Sequence, residues 1–311
     1  MNKEPLVTIL IPVYNGSDYV SDAIESALAQ TYKNIEILVV NDGSNDENAT
    51  EKIVLSYGEK VKYIKKKNGG VSSALNIGIQ NMRGDYMSWL SHDDMYLPEK
   101  IEKQVKKISG KDDIILCSGS LMDAERKPIA YRIKRLEGNY SGTELYREFL
   151  KGYILNGLGF LIPKRAFEKC GLFDESMRYL QDLDLWMRMM LMDFNFICMP
   201  EQLVVSRVHG QQVTNTARSL FYKDQVAIAK KHIEILKNIS KDKQRAFSEL
   251  YYCLFVKDNN SDGIELIKKF MQNYNVNVNG LTIKLIPYYT KGIVIRTRRK
   301  LIQRFFNKRG R

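Results

Sequence analysis

The stretch Val7-Thr-Ile-Leu-Ile-Pro-Val13, followed by Tyr14-Asn-Gly16, decides the fold of this 311-residue chain. Its first seven residues are apolar or β-branched without alternation, which is typical of a strand buried on both faces of a parallel sheet. The polar residues after it break the strand, and apolar residues at helical spacing then continue to about Ala29. One strand, one polar loop and one helix form the first unit of an α/β fold.

The same unit recurs along the first 120 residues or so. Further buried strands are predicted at residues 35–40, 61–65, 86–90 and 114–117, with helices between them. This repetition predicts a Rossmann-like, mostly parallel sheet with helices on both faces. In such sheets ligands bind at the carboxyl ends of the strands. We therefore expect a site built from the polar clusters that follow the strands, which are Pro12–Asn15, Asn41–Asp46, Asn68–Gly70 and Ser91–Asp94.

The second half of the chain is predicted to be richer in helix. An amphipathic helix is expected at residues 181–192, and two short strands follow at 196–199 and 203–208. Further helices are expected at 217–238, 241–256 and 262–273. The predicted organisation is an α/β domain over residues 1–216, a helical extension over 217–290 and a basic tail over 291–311.

The net charge of +12 is concentrated in that tail. Residues 291–311 hold nine basic residues and no acidic one, which leaves +3 for the rest of the chain. Apolar residues such as Phe305 and Phe306 alternate with the basic ones, so two interpretations are open: a segment that lies on an anionic membrane surface, and a solvated terminus. Because no recognised binding module accompanies the charge, a nucleic-acid partner is not expected.

The cysteines and the hydropathy pattern bear on the cellular compartment. The four cysteines are widely spaced without a Cys-x-x-Cys pair, which argues against a disulfide framework or a zinc site. The first residues lack the pattern of a signal peptide, and no apolar run approaches the roughly 20 residues that span a bilayer. We expect a cytoplasmic protein, which lies at the inner face of the cell membrane if the tail binds lipid.

Two acidic clusters follow predicted strands and are candidates for ligand binding. Asp93 and Asp94 could hold a Mg²⁺ or Mn²⁺ ion on a diphosphate, or could cap the helix that follows; the residues alone favour neither. Asp42, in Asn41-Asp-Gly-Ser44, could accept a hydrogen bond from a nucleotide base. Taken alone, this tetrapeptide is more typical of an ordinary Asx turn.

Two further positions carry groups that could take part in chemistry. Asp182 is expected in the first turn of the helix 181–192, where an ionised carboxylate is favoured and can accept a proton. The alternative is a purely structural helix terminus, with Trp186 in the core. His209 could bind a metal ion and Arg207 a phosphate. Taken alone, His209 would be assigned a structural role.

Together, these motifs resemble the family 2 glycosyltransferases of GT-A fold. The resemblance covers roughly residues 5–216 and rests on motifs that agree in type, order and spacing, at 7–15, 41–44, 68–78, 93–94, 181–188 and 207–209. It implies an inverting enzyme that transfers a hexose or N-acetylhexosamine from a nucleotide-diphosphate donor, expected to be a UDP-sugar. The implied acceptor is a hydroxyl of a bacterial surface polysaccharide or of its lipid-linked precursor.

The resemblance also implies a role for each matched residue. Asp182 would be the catalytic base, and Asp94 a direct ligand of Mn²⁺ or Mg²⁺ that His209 can also reach. The residues that would bind the donor nucleotide are Pro12, Tyr14, Asn15, Asp42, Asn68, Gly70 and Asp93.

The chain departs from the family pattern at two positions. The acidic motif, commonly Asp-x-Asp-Asp, is Ser91-His-Asp-Asp94 here, and His92 is expected near a ribose or facing solvent. Leu75 precedes Asn76 where relatives often carry an arginine. A catalytically inactive sugar-nucleotide-binding module is the alternative, whereas a dinucleotide-dependent oxidoreductase is excluded because Gly-x-Gly-x-x-Gly is missing after the first strand.

Overall fold

The computed structural model describes residues 4–130, 135–151, 153–209 and 221–277. These residues fall into two compact units, one within Met1–Gly142 and Leu155–Arg218 and the other within Thr143–Ile154 and Ser219–Arg311. The predicted boundaries at 216 and 290, and the basic tail, lie outside the described residues. Within the described ranges, no helix combines the length and the apolar character that crossing a membrane requires.

The first unit is built around a mixed β-sheet. Its strands pair in the order β3-β2-β1-β4-β9-β6-β10-β5, with β7 beside β6 and β8 beside β10. The strands are β1 (Val7–Val13), β2 (Ile35–Asn41), β3 (Lys62–Lys65), β4 (Tyr86–Trp89), β5 (Met95–Tyr96), β6 (Asp113–Met122), β7 (Pro128–Ile129), β8 (Gly138–Ser141), β9 (Phe160–Pro163) and β10 (Asn195–Arg207).

The predicted α/β fold is confirmed, and its parallel part contains the strands identified from the sequence. Strands β3, β2, β1 and β4 run parallel, as do β6 and β10. Every residue of β1 is buried, as expected for a strand covered on both faces. Strand β9 was not predicted; it lies antiparallel between β4 and β6.

Helices connect and flank these strands. Those of the first unit are α1 (Val20–Leu28), α2 (Ala49–Leu55), α3 (Val71–Asn81), α4 (Lys100–Val105), α6 (Lys164–Cys170) and α7 (Gln181–Leu191), with 3-10 turns at Gly58–Lys60 and Gly157–Gly159. The two strands predicted at 196–199 and 203–208 are a single strand, β10, whose register shifts between Cys198 and Val204. Pro200 lies in the shifted part, where its missing N–H cannot contribute to the ladder.

The second unit is helical, as the sequence predicted for the C-terminal region. It contains α8 (Phe221–Lys237), α9 (Lys241–Asp258) and α10 (Ser261–Asn273), together with most of α5 (Gly142–Leu150). Tyr146 of α5 packs against the rings of Phe247 and Tyr251, at centroid distances of 6.1 and 5.7 Å. Aromatic contacts of this kind stabilise helix packing beyond their buried area.

The four cysteines are free, in agreement with the predicted lack of a disulfide framework. Three of them, Cys117, Cys198 and Cys253, are buried. Burial raises the pKa of the Cys117 thiol to about 11, so this group is neutral at physiological pH. Such a thiol behaves as a small apolar side chain.

A lysine lies in the core of the first unit, which its sequence context did not indicate. Lys100, the first residue of α4, has 0% of its surface exposed. Its ammonium group lies 4.1 Å from the centroid of the Tyr96 ring and donates to two neutral partners, Ser88 and Gln104. Burial lowers the pKa of Lys100 from 10.5 to about 8, because the charged form loses its hydration.

The stability of the first unit is expected to depend on pH through Lys100. Between pH 8 and 10.5 the unfolded chain binds more protons at this lysine than the folded chain does, so the free energy of unfolding rises with pH. Relative to that of Lys100→Met, the free energy of unfolding of the native protein should rise by about 3 kcal/mol across this pH window. One unit of pKa corresponds to about 1.4 kcal/mol. Urea unfolding of both proteins at several pH values, followed by tryptophan fluorescence, measures this difference.

Because other titrating groups are common to both proteins, their effects cancel in that comparison. Both tryptophans of the chain, Trp89 and Trp186, lie in the first unit, so their fluorescence reports on that unit. A difference in unfolding free energy that stays constant with pH would show that Lys100 titrates as an exposed lysine does.

Candidate active site

The carboxyl ends of the parallel strands bring three polar loops to one edge of the sheet. The last residue of β1, Val13, pairs with Asn41 at the end of β2, and Asn41 pairs with Lys65 at the end of β3. The loops that follow these three residues therefore begin at the same level. This is the edge at which parallel α/β sheets bind their ligands.

The first two loops are joined by asparagine side chains. Asn15 donates from Nδ2 to Oδ1 of Asn45 at 2.7 Å, and its own Oδ1 accepts from the backbone N–H of Asn45 at 2.9 Å. The Asn15 backbone is left-handed, with φ of 48°, a conformation that asparagine tolerates better than most residues. Tyr14 stays exposed beside this contact, whereas Pro12 is buried within β1. Asn15 thus fixes the loop and leaves the Tyr14 ring available to a ligand.

The carboxylate of Asp42 holds the third loop in place. It is 3% exposed and accepts hydrogen bonds from Lys66 Nζ at 2.6 Å and from the backbone N–H groups of Gly69 and Gly70 at 3.0 and 2.7 Å. Lys66 was not identified from the sequence, although its position after the third strand places it at this edge. The donors that surround Asp42 here all come from the protein itself.

Close backbone approach between the second and third loops depends on Gly43. A methyl group added at Gly43 would lie 2.6 Å from the backbone nitrogen of Asn68, and the φ of Gly43 is +73°. Asn68 is exposed, and Gly70, with φ of 88°, precedes the first turn of α3. Only glycine combines this backbone conformation with this contact.

The predicted acidic pair lies after β4, beside the end of β10. The carboxylate of Asp94 is nearly buried, with 7% of the residue exposed, and its Oδ1 accepts from the backbone N–H of Arg207 at 2.7 Å. Burial raises the pKa of Asp94 well above its usual value, and the neighbouring charge of Asp93 raises it further. Two carboxylates with so little hydration are stabilised by a nearby positive charge.

The guanidinium group of Arg207 contacts protein atoms around the acidic pair, which differs from the prediction. Its guanidinium group was expected to bind phosphate, but it donates to the backbone oxygens of Asp93 and Ala124 and to the carboxylate of Asp22. It also lies 4.4 Å from the centroid of the Tyr19 ring, and only 1% of the residue is exposed. Because these contacts bury the guanidinium group, Arg207 supports the structure around Asp93 and Asp94.

The two histidines of this region have different surroundings. His209 Nε2 lies 3.0 Å from Asp93 Oδ2, and its ring packs 5.4 Å from that of Tyr19. His92 is half-buried against Gly16, where a methyl group would lie 2.5 Å from His92 Cδ2, so this side chain does not simply face solvent. Burial lowers the pKa of His92 and keeps it neutral.

Asp93, Asp94 and His209 carry the groups that could hold a divalent cation. No group of three histidine, cysteine or acidic side chains within the described residues is arranged to hold a metal ion. His209 Nε2 and Asp93 Oδ2 lie 3.0 Å apart, which is an ordinary hydrogen-bond distance. Ions such as Mg²⁺ commonly use one or two protein ligands and complete their coordination with phosphate oxygens and water.

Asp182 lies in the first turn of α7, as predicted. Its Oδ1 accepts from the backbone N–H of Leu183 at 2.7 Å, and Oδ2 makes no hydrogen bond to another described residue. The residue is half-buried, and this burial raises the pKa of its carboxyl group. A carboxylate with a raised pKa and a free oxygen is suited to accept a proton.

Asp184 and Arg188 lie four residues apart on α7, a spacing from which we expected an exposed ion pair, but the pair is buried. Arg188 Nη2 lies 2.7 Å from Asp184 Oδ2, and their side chains are 4% and 0% exposed. Arg188 also donates to the backbone oxygens of Cys170 and Leu172, which lie at and after the end of α6. The helix is therefore buried on most sides, and its polar pair fixes the segment before it.

Asn76 links α3 to the segment that precedes α7. Its side-chain amide donates to the backbone oxygen of Phe173 and accepts from the backbone N–H of the same residue, both at 2.9 Å. Asn76 Nδ2 also donates to the Glu175 carboxylate at 2.9 Å. The sequence identified Asn76 only as part of a motif, because its partners lie almost 100 positions away.

Comparison with known proteins identifies similar sequences and structures. The family model described as "Glycosyl transferase family 2" matches residues 8–174. An uncharacterized glycosyltransferase of Rickettsia prowazekii is 50% identical over 218 residues, which cover 68% of this chain and 67% of that protein. A longer relative from Rickettsia felis is 47% identical, and the match covers only 35% of its length. The hyaluronan synthase of Pasteurella multocida is 29% identical over 61% of this chain and 19% of its own.

Solved structures share the fold at low sequence identity. Residues 1–349 of S. aureus TarS, solved in complex with UDP-GlcNAc, match with a TM-score of 0.65 and 17% identity. The match covers 94% of this chain and 91% of that one. This similarity concerns the fold.

Proposed function

Because the chain belongs to glycosyltransferase family 2, we propose that it transfers a hexose or N-acetylhexosamine from a UDP-sugar to an acceptor hydroxyl, with inversion at the anomeric carbon. Membership of this family and the GT-A fold, both predicted from the sequence, are confirmed. The donor, the stereochemistry and the acceptor are the proposed part.

The observation that carries the proposal is the carboxylate of Asp182. Its free Oδ2 accepts the proton of the acceptor hydroxyl, and the raised pKa brings this base closer to the working pH. The acceptor oxygen then forms a bond to the anomeric carbon while the bond to the diphosphate breaks on the opposite face. The electron pair of the broken bond leaves with the nucleoside diphosphate, so the configuration at carbon inverts.

The donor nucleotide binds along the loops at the sheet edge. The loop of Pro12, Tyr14 and Asn15 offers an exposed aromatic ring, and the loop of Asn68 and Gly70 closes over the nucleotide. Asp42 supports this second loop through the N–H groups of residues 69 and 70. Its Oδ2 accepts one of these bonds, and a second lone pair of the same oxygen is the acceptor that a base N–H uses.

Asp93, Asp94 and His209 would hold a divalent cation beside the diphosphate of the donor. When bound, it neutralises the charge that develops on the leaving group. Asp94 and His209 are the ligands implied by the resemblance, and Asp93, whose Oδ2 lies at hydrogen-bond distance from His209 Nε2, would lie beside them. Arg207 orients the pair through its backbone N–H and its guanidinium group.

The acceptor is proposed to be a surface polysaccharide or its lipid-linked precursor. Support for a polysaccharide acceptor comes from the hyaluronan synthase among the relatives, and the UDP-GlcNAc complex of TarS supports a UDP-sugar donor. The basic residues of 291–311 would place the enzyme at the inner face of the cell membrane, where lipid-linked acceptors lie.

A panel of donors tests this function. Binding and hydrolysis are measured for UDP-glucose, UDP-galactose, both UDP-N-acetylhexosamines, GDP-mannose and a dTDP-sugar, with and without Mn²⁺. Metal-dependent binding and slow hydrolysis of one UDP-sugar are expected. A folded protein that binds none of them would instead support an inactive module or another donor.

A substitution at Gly43 is expected to weaken nucleotide binding without unfolding the protein. In Gly43→Ala the left-handed backbone costs about 1–2 kcal/mol, and the new methyl group forces the loop at Asn68 away. The Kd for UDP should rise at least about tenfold by calorimetry. Gly58→Ala is the matched control, because its φ is +57° but no atom lies within 4 Å of the added methyl group.

The two variants separate backbone strain from loop contact. Gly43→Ala should lose more free energy of unfolding than Gly58→Ala, because its methyl group also displaces the loop at Asn68, and only Gly43→Ala should bind UDP more weakly. Equal UDP affinities for the two variants would contradict a role for this loop contact in nucleotide binding.

A further inference from the structure

The buried ammonium group of Lys100 fixes the direction of two hydrogen-bond chains. An ammonium group can only donate, and it donates to Ser88 Oγ at 2.7 Å and to Gln104 Oε1 at 2.9 Å. Because Gln104 accepts at Oε1, its NH₂ group must point the other way. Because Ser88 accepts from the lysine, its single proton is shared between Tyr96 Oη at 2.8 Å and the backbone oxygen of Phe160 at 3.1 Å.

Both chains reach the same peptide segment, and the chain through Ser88 also reaches the backbone oxygen of Trp89 through the Tyr96 hydroxyl. Gln104 Nε2 donates to the backbone oxygen of Gly159 at 2.7 Å, and Ser88 Oγ donates to that of Phe160 at 3.1 Å. The consecutive carbonyl groups of Gly159 and Phe160 thus accept hydrogen bonds from two side chains that Lys100 orients. All of these side chains are buried, so water does not compete for the bonds.

The segment held in this way, residues 157–160, lies against both tryptophans of the chain. A methyl group at Gly157 would be 3.2 Å from Trp89 Cζ3 and 3.7 Å from Trp186 Cζ2. Phe160 stacks on Trp186 with a centroid distance of 4.3 Å. Glycine at 157 therefore lets the backbone pass closely along the two indole rings.

The two tryptophans belong to the elements that carry the proposed chemistry. Trp89 ends β4, four residues before Asp93, and Trp186 follows Asp182 by one turn of α7. In an inverting displacement the transferred sugar lies between the base and the leaving diphosphate. Residues 157–160 thus contact the element that carries each of these two groups.

We propose that Lys100 is a positioning residue that holds residues 157–160 against Trp89 and Trp186, and that this segment discriminates between hexose and N-acetylhexosamine donors. The donor discrimination rests on the proposed function, whereas the positioning role of Lys100 does not. Without Lys100, Ser88 and Gln104 can rotate, and the Gly159 and Phe160 carbonyl groups lose their fixed partners. The segment then shifts along the indole rings, and the fit of the sugar changes.

The first test reports on position and does not require activity. Incorporation of 5-fluorotryptophan gives two ¹⁹F resonances, one for each tryptophan. Lys100→Met should shift or broaden both, whereas Lys103→Met, on the same helix but partly exposed and paired with Glu99, should change neither. Gln104→Glu keeps an acceptor for Lys100 but loses the donor to Gly159. This variant replaces Lys100→Met in the test if Lys100→Met does not fold.

The second test uses the donor panel. Relative to native protein, Lys100→Met should keep the Kd for UDP within about twofold but change the ratio of kcat/KM between UDP-hexose and UDP-N-acetylhexosamine by about tenfold or more. Lys103→Met should keep both the native Kd for UDP and the native ratio of kcat/KM between the two donors. Unchanged ¹⁹F resonances, or an unchanged ratio, in both Lys100→Met and Gln104→Glu would overturn the inference. If native protein turns over no donor, the proposed function fails while the resonances still decide the positioning role.

Discussion

Replacing Asp182 with asparagine is expected to lower turnover by about 10²- to 10⁴-fold, the range that a general base contributes. Asparagine preserves the shape of the side chain and its Oδ1 acceptor for the Leu183 N–H, so α7 should keep its first turn. The lost group is the oxygen that takes the proton. The Kd for the UDP donor should therefore stay within about twofold, because the base acts on the acceptor.

The measurement compares initial transfer rates and donor calorimetry for the native protein and for Asp182→Asn. Glu168→Gln, which neutralises an exposed carboxylate on α6, is the matched control and should behave as the native protein. The base must be ionised, so kcat should fall as the pH drops through a pKa raised above that of an ordinary aspartate. Near-native turnover of Asp182→Asn at neutral pH would rule out this base.

Replacing Asp94 with asparagine is expected to lower turnover by about 10²-fold or more, since a metal ion supplies several kcal/mol of charge stabilisation at the leaving group. The amide can still accept the N–H of Arg207 at Oδ1, so the loop should keep its structure. What disappears is an anionic oxygen ligand. The Mn²⁺ concentration needed for half-maximal donor hydrolysis should rise at least about tenfold.

A Mn²⁺ titration of donor hydrolysis, with thermal unfolding as a check on folding, measures this effect. Asp123→Asn is a suitable control, because Asp123 accepts a backbone hydrogen bond in a nearby turn and lies outside the proposed metal site. If Asp94→Asn and Asp123→Asn require the same Mn²⁺ concentration, Asp94 is not a ligand.

The sequence predicts the parallel half of the sheet well because β1 and β2 are largely buried runs of seven residues and because polar loops follow its strands. The same pattern places the loops at one edge, since parallel strands end together. Strand β9 was missed because Phe160–Pro163 lies outside the repeated strand, loop and helix pattern and pairs antiparallel with strands distant in sequence. A short apolar run alone does not reveal its direction or its neighbours.

The partners of charged side chains were the least predictable part of the site. Arg207 was expected to bind phosphate, but its partner Asp22 lies 185 positions earlier in the chain. Lys100 has the sequence context of a surface helix residue, yet it is buried. Burial of a charge depends on which distant groups surround it, and no local pattern encodes that. The roles of Asp42, Asp94, Asp182 and His209 stay predictions until the variants are measured.

The hydrogen bond between Arg207 and Asp94 joins residues 113 positions apart. On the ribosome, where about 5–20 residues are added each second, Asp94 is synthesised roughly 6–23 s before the residue that completes its surroundings. During that interval the nascent chain has β1 to β4 but lacks β10, and the acidic pair is without its arginine. If the proposed function holds, a polypeptide released before Arg207 is therefore expected to be inactive rather than partly active.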